Sequence, residues 1–199
     1  MQLLKKRAGF TLMELLVAMG IGMVVLAAVT STYMSQLKFY NAQEQINEMQ
    51  QNALATLDLI SRELKMAGYK PNSGAVAQFT ASGVNLDYSQ LVIEADLNGN
   101  NSIDGSAGSL ERVIYAFNSS GDQITRKLGS GPADVFAHNI NAFDFTFFSA
   151  DGVTLATKAS EIRQVKIDIT ARTAKPDPNY GGYHTYQVSA SITPPNLAY

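Results

Sequence analysis

The sequence predicts an α+β fold: a long N-terminal helix, membrane-spanning in its first half and amphipathic in its second, packed on an antiparallel β-sheet domain. Three observations carry that prediction. An apolar run from Phe10 to Val29 holds only Thr11 and Glu14 as conspicuously polar residues. No proline or glycine interrupts the chain from Met23 to Ala67. From Val76 onward the apolar residues recur with period two rather than with helical spacing.

The first element is the span. Twenty residues at about 1.5 Å of rise each match the hydrocarbon core of a bilayer. Lys5, Lys6 and Arg7 precede it, and the next cation is Lys38. The positive-inside bias then places the N-terminus in the cytoplasm and exports the remainder. A secretory signal peptide shares the basic start, but its apolar part is shorter and ends at a small-residue cleavage site. Ala27-Ala28-Val29 is a weak match to such a site. Gly20 and Gly22 lie inside the span, where membrane helices ordinarily tolerate glycine.

The second element continues the helix. Ile46, Met49, Ala53, Leu57, Ile60, Leu64 and Ala67 recur at three- and four-residue steps, which makes one apolar stripe. Gln43, Glu44, Gln45, Asn47, Glu48, Gln50 and Gln51 supply a polar face. Gly68 suits the position just past the helix end, and Pro71 blocks continuation. A helix from Phe10 to Ala67 would be on the order of 87 Å long.

The third element is the sheet. Val165, Ile167, Ile169 and Ala171 alternate with polar neighbours, as do Tyr186, Val188, Ala190 and Ile192. Leu91-Val92-Ile93, Val113-Ile114-Tyr115 and Phe143 to Phe147 are further strands. Gly121-Asp122, Asp151-Gly152 and the stretch from Pro176 to Gly182 mark turns. Alternation implies one covered face, and the stripe from residue 46 to 67 is its natural cover. Tyr180, Tyr183 and Tyr186 cluster near one hairpin; an exposed binding patch would use such residues, but strand propensity and edge packing explain them as well and are the expectation.

Glu14 is the anomaly. A carboxylate within hydrocarbon costs a few kcal/mol or more and by default marks function or a partner. Its neighbours set the reading. Gly9-Phe10-Thr11-Leu12-Met13-Glu14, after a basic leader and before an apolar helix, resembles the processing site of type IV prepilins. The resemblance implies cleavage after Gly9 by a prepilin peptidase and N-methylation of Phe10. It also implies a salt bridge between Glu14 and the new amine of Phe10, in the same subunit or a neighbouring one. Attraction in a low dielectric makes such a pair strong, and pairing offsets part of the desolvation cost. The expected organisation is a leader over 1–9, a transmembrane and assembly helix over 10–31, its amphipathic continuation over 32–68, and an exported head over 69–199.

Arg62, Leu64, Ala67, Gly68 and Tyr69 form a second pattern, similar to PilW-type minor pilins and to the J-type minor pseudopilin of type II secretion. An amphipathic last turn with a glycine cap would produce the same residues. The implied function is that of a minor type IV pilin, built into a filament or priming it. The alternative is a minor pseudopilin at the tip of a secretion pseudopilus. The implied partners are the prepilin peptidase, other pilins or pseudopilins and the bacterial inner membrane.

Asp96, Asn98 and Asn100 fall on positions 1, 3 and 5 of a calcium loop, with Ser102 at 7 and Asp104 at 9. Oxygen side chains on alternate residues let a tight loop wrap a hard cation. Asn101 stands where glycine is usual, and Ala107 stands where a bidentate glutamate belongs. Glu94 or Glu111 would have to replace that glutamate. The competing reading is a solvated hairpin turn. Calcium is taken as the expectation, and no other cofactor is required.

The remaining composition points away from several classes. There is no cysteine, which removes disulfide and thiolate chemistry. The formal charge is −2, which gives no electrostatic basis for nucleic-acid binding. His138 and His184 have no metal-ligand spacing, and no Gly-x-Ser-x-Gly elbow is present. The chain therefore reads as an assembly protein and not as an enzyme; a membrane-anchored enzyme or sensor would have no need of a cleavage motif at Gly9.

Overall fold

The structure is a computed structural model and describes residues 9–72 and 83–197. The basic leader and the start of the period-two region at Val76 lie outside the described residues. Within them the chain forms one α-helix, α1 (Leu12–Lys65), seven strands and two single-turn 3-10 helices. It divides into two units, one ending at Glu44 and the other beginning at Gln45.

In the first unit α1 is apolar enough to cross a membrane, and none of its most apolar window is buried within the protein. Met13, Leu16, Met19, Val24 and Leu26 are all exposed. Exposed apolar surface on this scale marks a segment that is covered by lipid or by other helices. Gly20 and Gly22 lie in unbroken helix. Thr30 and Thr32 return their hydroxyls to the carbonyls of Leu26 and Ala28, four residues back, so these polar groups stay satisfied within the helix.

In the second unit the stripe is realised as expected. Met49, Ala53, Leu57, Ile60 and Leu64 are buried, together with Thr56. The helix ends where the local chemistry requires it. Met66 and Ala67 donate to Glu63 and Leu64 three residues back, which tightens the last turn, and Gly68 then takes φ 71°. Its N–H is spent on the Glu94 carbonyl at 2.8 Å, which ties the helix end to the first strand. Gly83 approaches this point so closely that a Cβ on it would overlap the Gly68 backbone.

The strands divide between two antiparallel sheets. In the four-stranded sheet β1 (Gln90–Glu94), β2 (Arg112–Asn118), β3 (Gln123–Leu128) and β4 (Ala133–His138) lie in chain order. In the three-stranded sheet β5 (Ile140–Phe148), β6 (Gln164–Arg172) and β7 (Thr185–Ile192) do the same. Alternation marks a covered face but does not say how many sheets share it. The split falls at Asn139, whose φ of 57° turns the chain between β4 and β5. One core serves both sheets: Tyr115 and Ile124 from the first, Phe147, Ile167 and Ile169 from the second, and Ile60 and Leu64 from the helix. Strands β3 and β4 were not foreseen, because Ile124 and Ala137 are their only fully buried residues.

Polar bonds complete the anchoring of the helix in this unit. Asn52 donates to the His138 carbonyl at 2.9 Å, and Gln45 accepts the Lys175 N–H at 3.0 Å. Deeper, the Tyr115 hydroxyl donates to Glu63 at 2.6 Å while Arg126 pairs with the same carboxylate at 2.5 Å. Burial and the Glu63 charge push the Tyr115 phenol well above its ordinary range.

Candidate functional site

The first site is the helix start. Gly9 and Phe10 precede α1 in non-helical backbone, and Phe10 is 93% exposed. Open space surrounds the position where a Gly9 side chain would sit. The helix begins at Thr11, whose carbonyl accepts the first helical bond from the Leu15 N–H at 3.2 Å.

Thr11 and Glu14 form a reciprocal pair. Glu14 Oε2 accepts the Thr11 amide at 2.8 Å and the Thr11 hydroxyl at 3.0 Å. The Glu14 N–H donates in turn to Thr11 Oγ1 at 3.2 Å. This Thr-x-x-Glu arrangement is a capping box, in which the first and fourth residues satisfy one another's unpaired amides. From composition and depth in the span alone, Glu14 reads as a charge awaiting a partner. The Thr-x-x-Glu spacing before an apolar run was the signal for a second role.

The box has a chemical consequence. The amide held by Glu14 belongs to the Phe10–Thr11 peptide, one bond downstream of the Gly9–Phe10 bond. Cleavage after Gly9 would leave that amide in place and create an amine one residue further back. Glu14 is thus held by its bonds to Thr11 one residue from the position where that amine would form.

The second site is the loop between β1 and β2. Asp96 is fully buried, and its two carboxylate oxygens accept the Gly99 and Asn101 amides at 2.7 and 2.9 Å. Asn98 accepts the Asn100 amide, and Asn100 accepts that of Ser102. Of the two glutamates considered as substitutes, Glu111 enters the loop. Its Oε1 accepts from Leu97 and Asn98, and its Oε2 accepts from Asp104 at 2.7 Å. Glu94 instead pairs with Arg112, at 3.5 Å. Asp104 turns to Ser106, whose amide and hydroxyl hold its carboxyl below the usual carboxylate range.

Asn101 takes φ 60°, the left-handed geometry that glycine would otherwise supply, and its side-chain oxygen is buried without a partner. Among the described residues, no three His, Cys, Asp or Glu side chains are placed to share one ion. A cation in this loop would therefore draw on amide and backbone oxygens as well as on Asp96 and Glu111.

The tyrosines and His184 make ring and ion-pair contacts with one another and with their neighbours, and the exposed His138 meets the Gln123 amide at 3.3 Å. Tyr180 stacks on His184 with ring centres 4.3 Å apart, the Arg172 guanidinium lies 4.2 Å over Tyr183, and Tyr186 packs against the core. His184 meets Asp177 at 3.1 Å. A cleft of about 310 Å³ is lined by Glu48, Asn52, His138 and Arg172, and its lining includes no hydroxyl or thiol nucleophile.

Comparison with known proteins bears on the first site. No curated protein matches the chain. A family model described as the prokaryotic N-terminal methylation motif matches residues 4–30. The matched stretch contains Gly9, Phe10, Thr11, Glu14 and the apolar start of α1, and the likeness supports a type IV pilin-like prepilin.

Proposed function

We propose that this chain is a minor type IV pilin of the PilW type. A prepilin peptidase cuts it after Gly9, Phe10 is N-methylated, and the protein is then built into a filament or primes one. Before assembly it sits in the bacterial inner membrane with its N-terminus in the cytoplasm and its head exported. The observation that carries the reading is the helix start: an exposed, non-helical Gly9–Phe10 bond directly ahead of a capped helix whose apolar flank is bare. Intact-mass measurement of the chain produced with and without a prepilin peptidase tests it. The expected product begins at methylated Phe10. A chain that keeps its leader in the presence of an active peptidase would refute the reading. A minor pseudopilin would be processed identically, and co-isolation with pili or with secretion components separates the two.

We also propose that the loop from Asp96 to Asp104 takes one calcium ion with weak affinity. Supporting it are two buried carboxylates, Asp96 and Glu111, spent on backbone amides, and the orphaned oxygen of Asn101. Each carboxylate or amide oxygen that accepts one hydrogen bond keeps a lone pair for a cation. Calorimetric titration of the full chain with calcium should show binding that Glu111→Gln weakens. Absence of binding heat at millimolar calcium would leave the loop as a hairpin turn.

A further inference from the structure

The strand β7 lies at an open edge of its sheet. It pairs with β6 in continuous register, Arg172 opposite Thr185 through Val165 opposite Ile192, with no bulge. The direction of its backbone groups follows from one bond beyond the strand end. The Thr173 N–H donates to the His184 carbonyl at 2.9 Å, so this pair is hydrogen-bonded across the ladder. Bonded and non-bonded pairs alternate in an antiparallel ladder. His184, Tyr186, Val188 and Ala190 therefore bond toward β6, while Thr185, Gln187, Ser189 and Ser191 direct N–H and C=O away from it. The Arg172 N–H agrees, since it turns to the Asn139 carbonyl on the far side of β6 at 2.8 Å.

An unpaired edge is a template for another strand, and proteins usually blunt it with a charge, a proline, a bulge or a cover. The other three edges each carry such a device. Gly83 and Asn85 cover β1, through bonds to Glu94 and Val92. The register of β4 breaks against β3 between Ile124 and Thr125, and β4 carries Asp134. The register of β5 breaks after Ile140, and β5 carries Asp144. In Thr185–Ile192 there is no charge, no proline and no bulge. Among the described residues no backbone partner meets its outer groups. Beneath this edge Tyr186, Val188 and Ala190 are only partly buried, although they pack against the core.

We propose that β7 is a docking edge for the β7 strand of a second copy of this chain. Two features suit a second copy. An antiparallel pair centred on Val188 sets Thr185 opposite Ser191 and Gln187 opposite Ser189 of the partner, so every outward group finds a complement. Identical strands would repel if β7 carried charge, and it carries none. The same register lays the two rows of Tyr186, Val188 and Ala190 side by side and completes the cover of the core beneath them. The inference does not depend on processing at Gly9 and is tested without it.

The chain has no native cysteine, so a single introduced thiol reports on one position. In the proposed pair Ser189 faces Gln187 of the partner and lies about 7–8 Å diagonally from the partner's Ser189. The full-length Ser189→Cys chain in membranes, treated with a thiol cross-linker of that span, should give a homodimer. The Ser120→Cys chain, altered in the turn before β3, should stay monomeric. Gln187→Pro removes an N–H that β6 does not use, an edge position where proline is tolerated. Introduced beside Ser189→Cys, it should reduce the dimer several-fold. Gln187→Lys, which preserves the backbone, should do the same by setting like charges near one another. Protease resistance of the head confirms folding in each variant. A monomer from folded Ser189→Cys, an adduct with a different protein, equal cross-linking at Ser120, or a dimer indifferent to Gln187→Lys would each overturn the proposal.

Discussion

Glu14 caps the helix, and under the proposed function it also pairs with the new amine; a pair of substitutions separates the two. Glu14→Gln keeps an oxygen that can accept the Thr11 amide and hydroxyl, so the capping box survives. It removes the negative charge. Thr11→Ala does the reverse, breaking the box while leaving the carboxylate. Loss of an N-cap costs about 1 kcal/mol, within a range of roughly 0.5–2, or on the order of fivefold in a helix-start equilibrium. Loss of the charge removes the proposed ion pair altogether and leaves its partner amine uncompensated, so its effect should be the larger of the two. Filament entry by Thr11→Ala should therefore fall by about fivefold, and entry by Glu14→Gln should fall further. The assay is immunoblotting of sheared surface filaments from a deletion strain complemented with each variant, normalised to the processed protein in the membrane. Normal assembly by Glu14→Gln would refute the charge-pairing argument. A loss with Thr11→Ala as deep as that with Glu14→Gln would show that the cap, not the charge, is what assembly requires.

Three further outcomes follow from the head. Glu63→Ala strips both Tyr115 and Arg126 of their shared acceptor, at a site about a fifth exposed. It should destabilise the head by about 2–3 kcal/mol, against about 1 for Tyr115→Phe, in pulse proteolysis across a urea series; equal effects would mean the network is not coupled through Glu63. Gly83→Ala should lower the urea midpoint markedly, because φ is 103° and a Cβ would strike Gly68; an unchanged midpoint would contradict that approach. Hydrogen bonds hold the carboxyls of Asp87, Asp151, Glu161 and Asp177 below their ordinary range, the one on Asp177 chiefly through His184. Groups depressed by folding add stability above their unfolded values and lose it as pH falls through the folded ones, so the midpoint should hold near pH 6 and decline below about pH 4. A midpoint that rises on acidification would reverse the sign.

What could be read from the sequence was whatever repeats. The stripe from Met49 to Leu64 and the alternation in β6 are periodic over many residues, and both stand in the structure. Strands β3 and β4 are hidden because a strand that buries a single residue leaves no alternation to see. Glu63 looked like the polar side of an amphipathic turn. Its partner Arg126 lies on β3, and nothing local connects the two positions. The same applies to Glu111, which enters the loop from across the hairpin. The capping box is a different kind of omission. Its four-residue spacing is fully visible in the sequence, but the cost of a carboxylate in hydrocarbon makes the charge of Glu14 more conspicuous than its hydrogen bonding.

Under the proposed function the box would also act as a ruler. A peptidase that reads extended backbone can thread the chain only as far as the helix allows, and here the helix is clamped shut at Thr11. The last bond wholly free of that clamp on both sides is the one between Gly9 and Phe10. Position along the chain would then be measured from the start of the helix rather than from the basic residues. Moving Thr11 and Glu14 together by one residue, with the leader untouched, should move the cut with them.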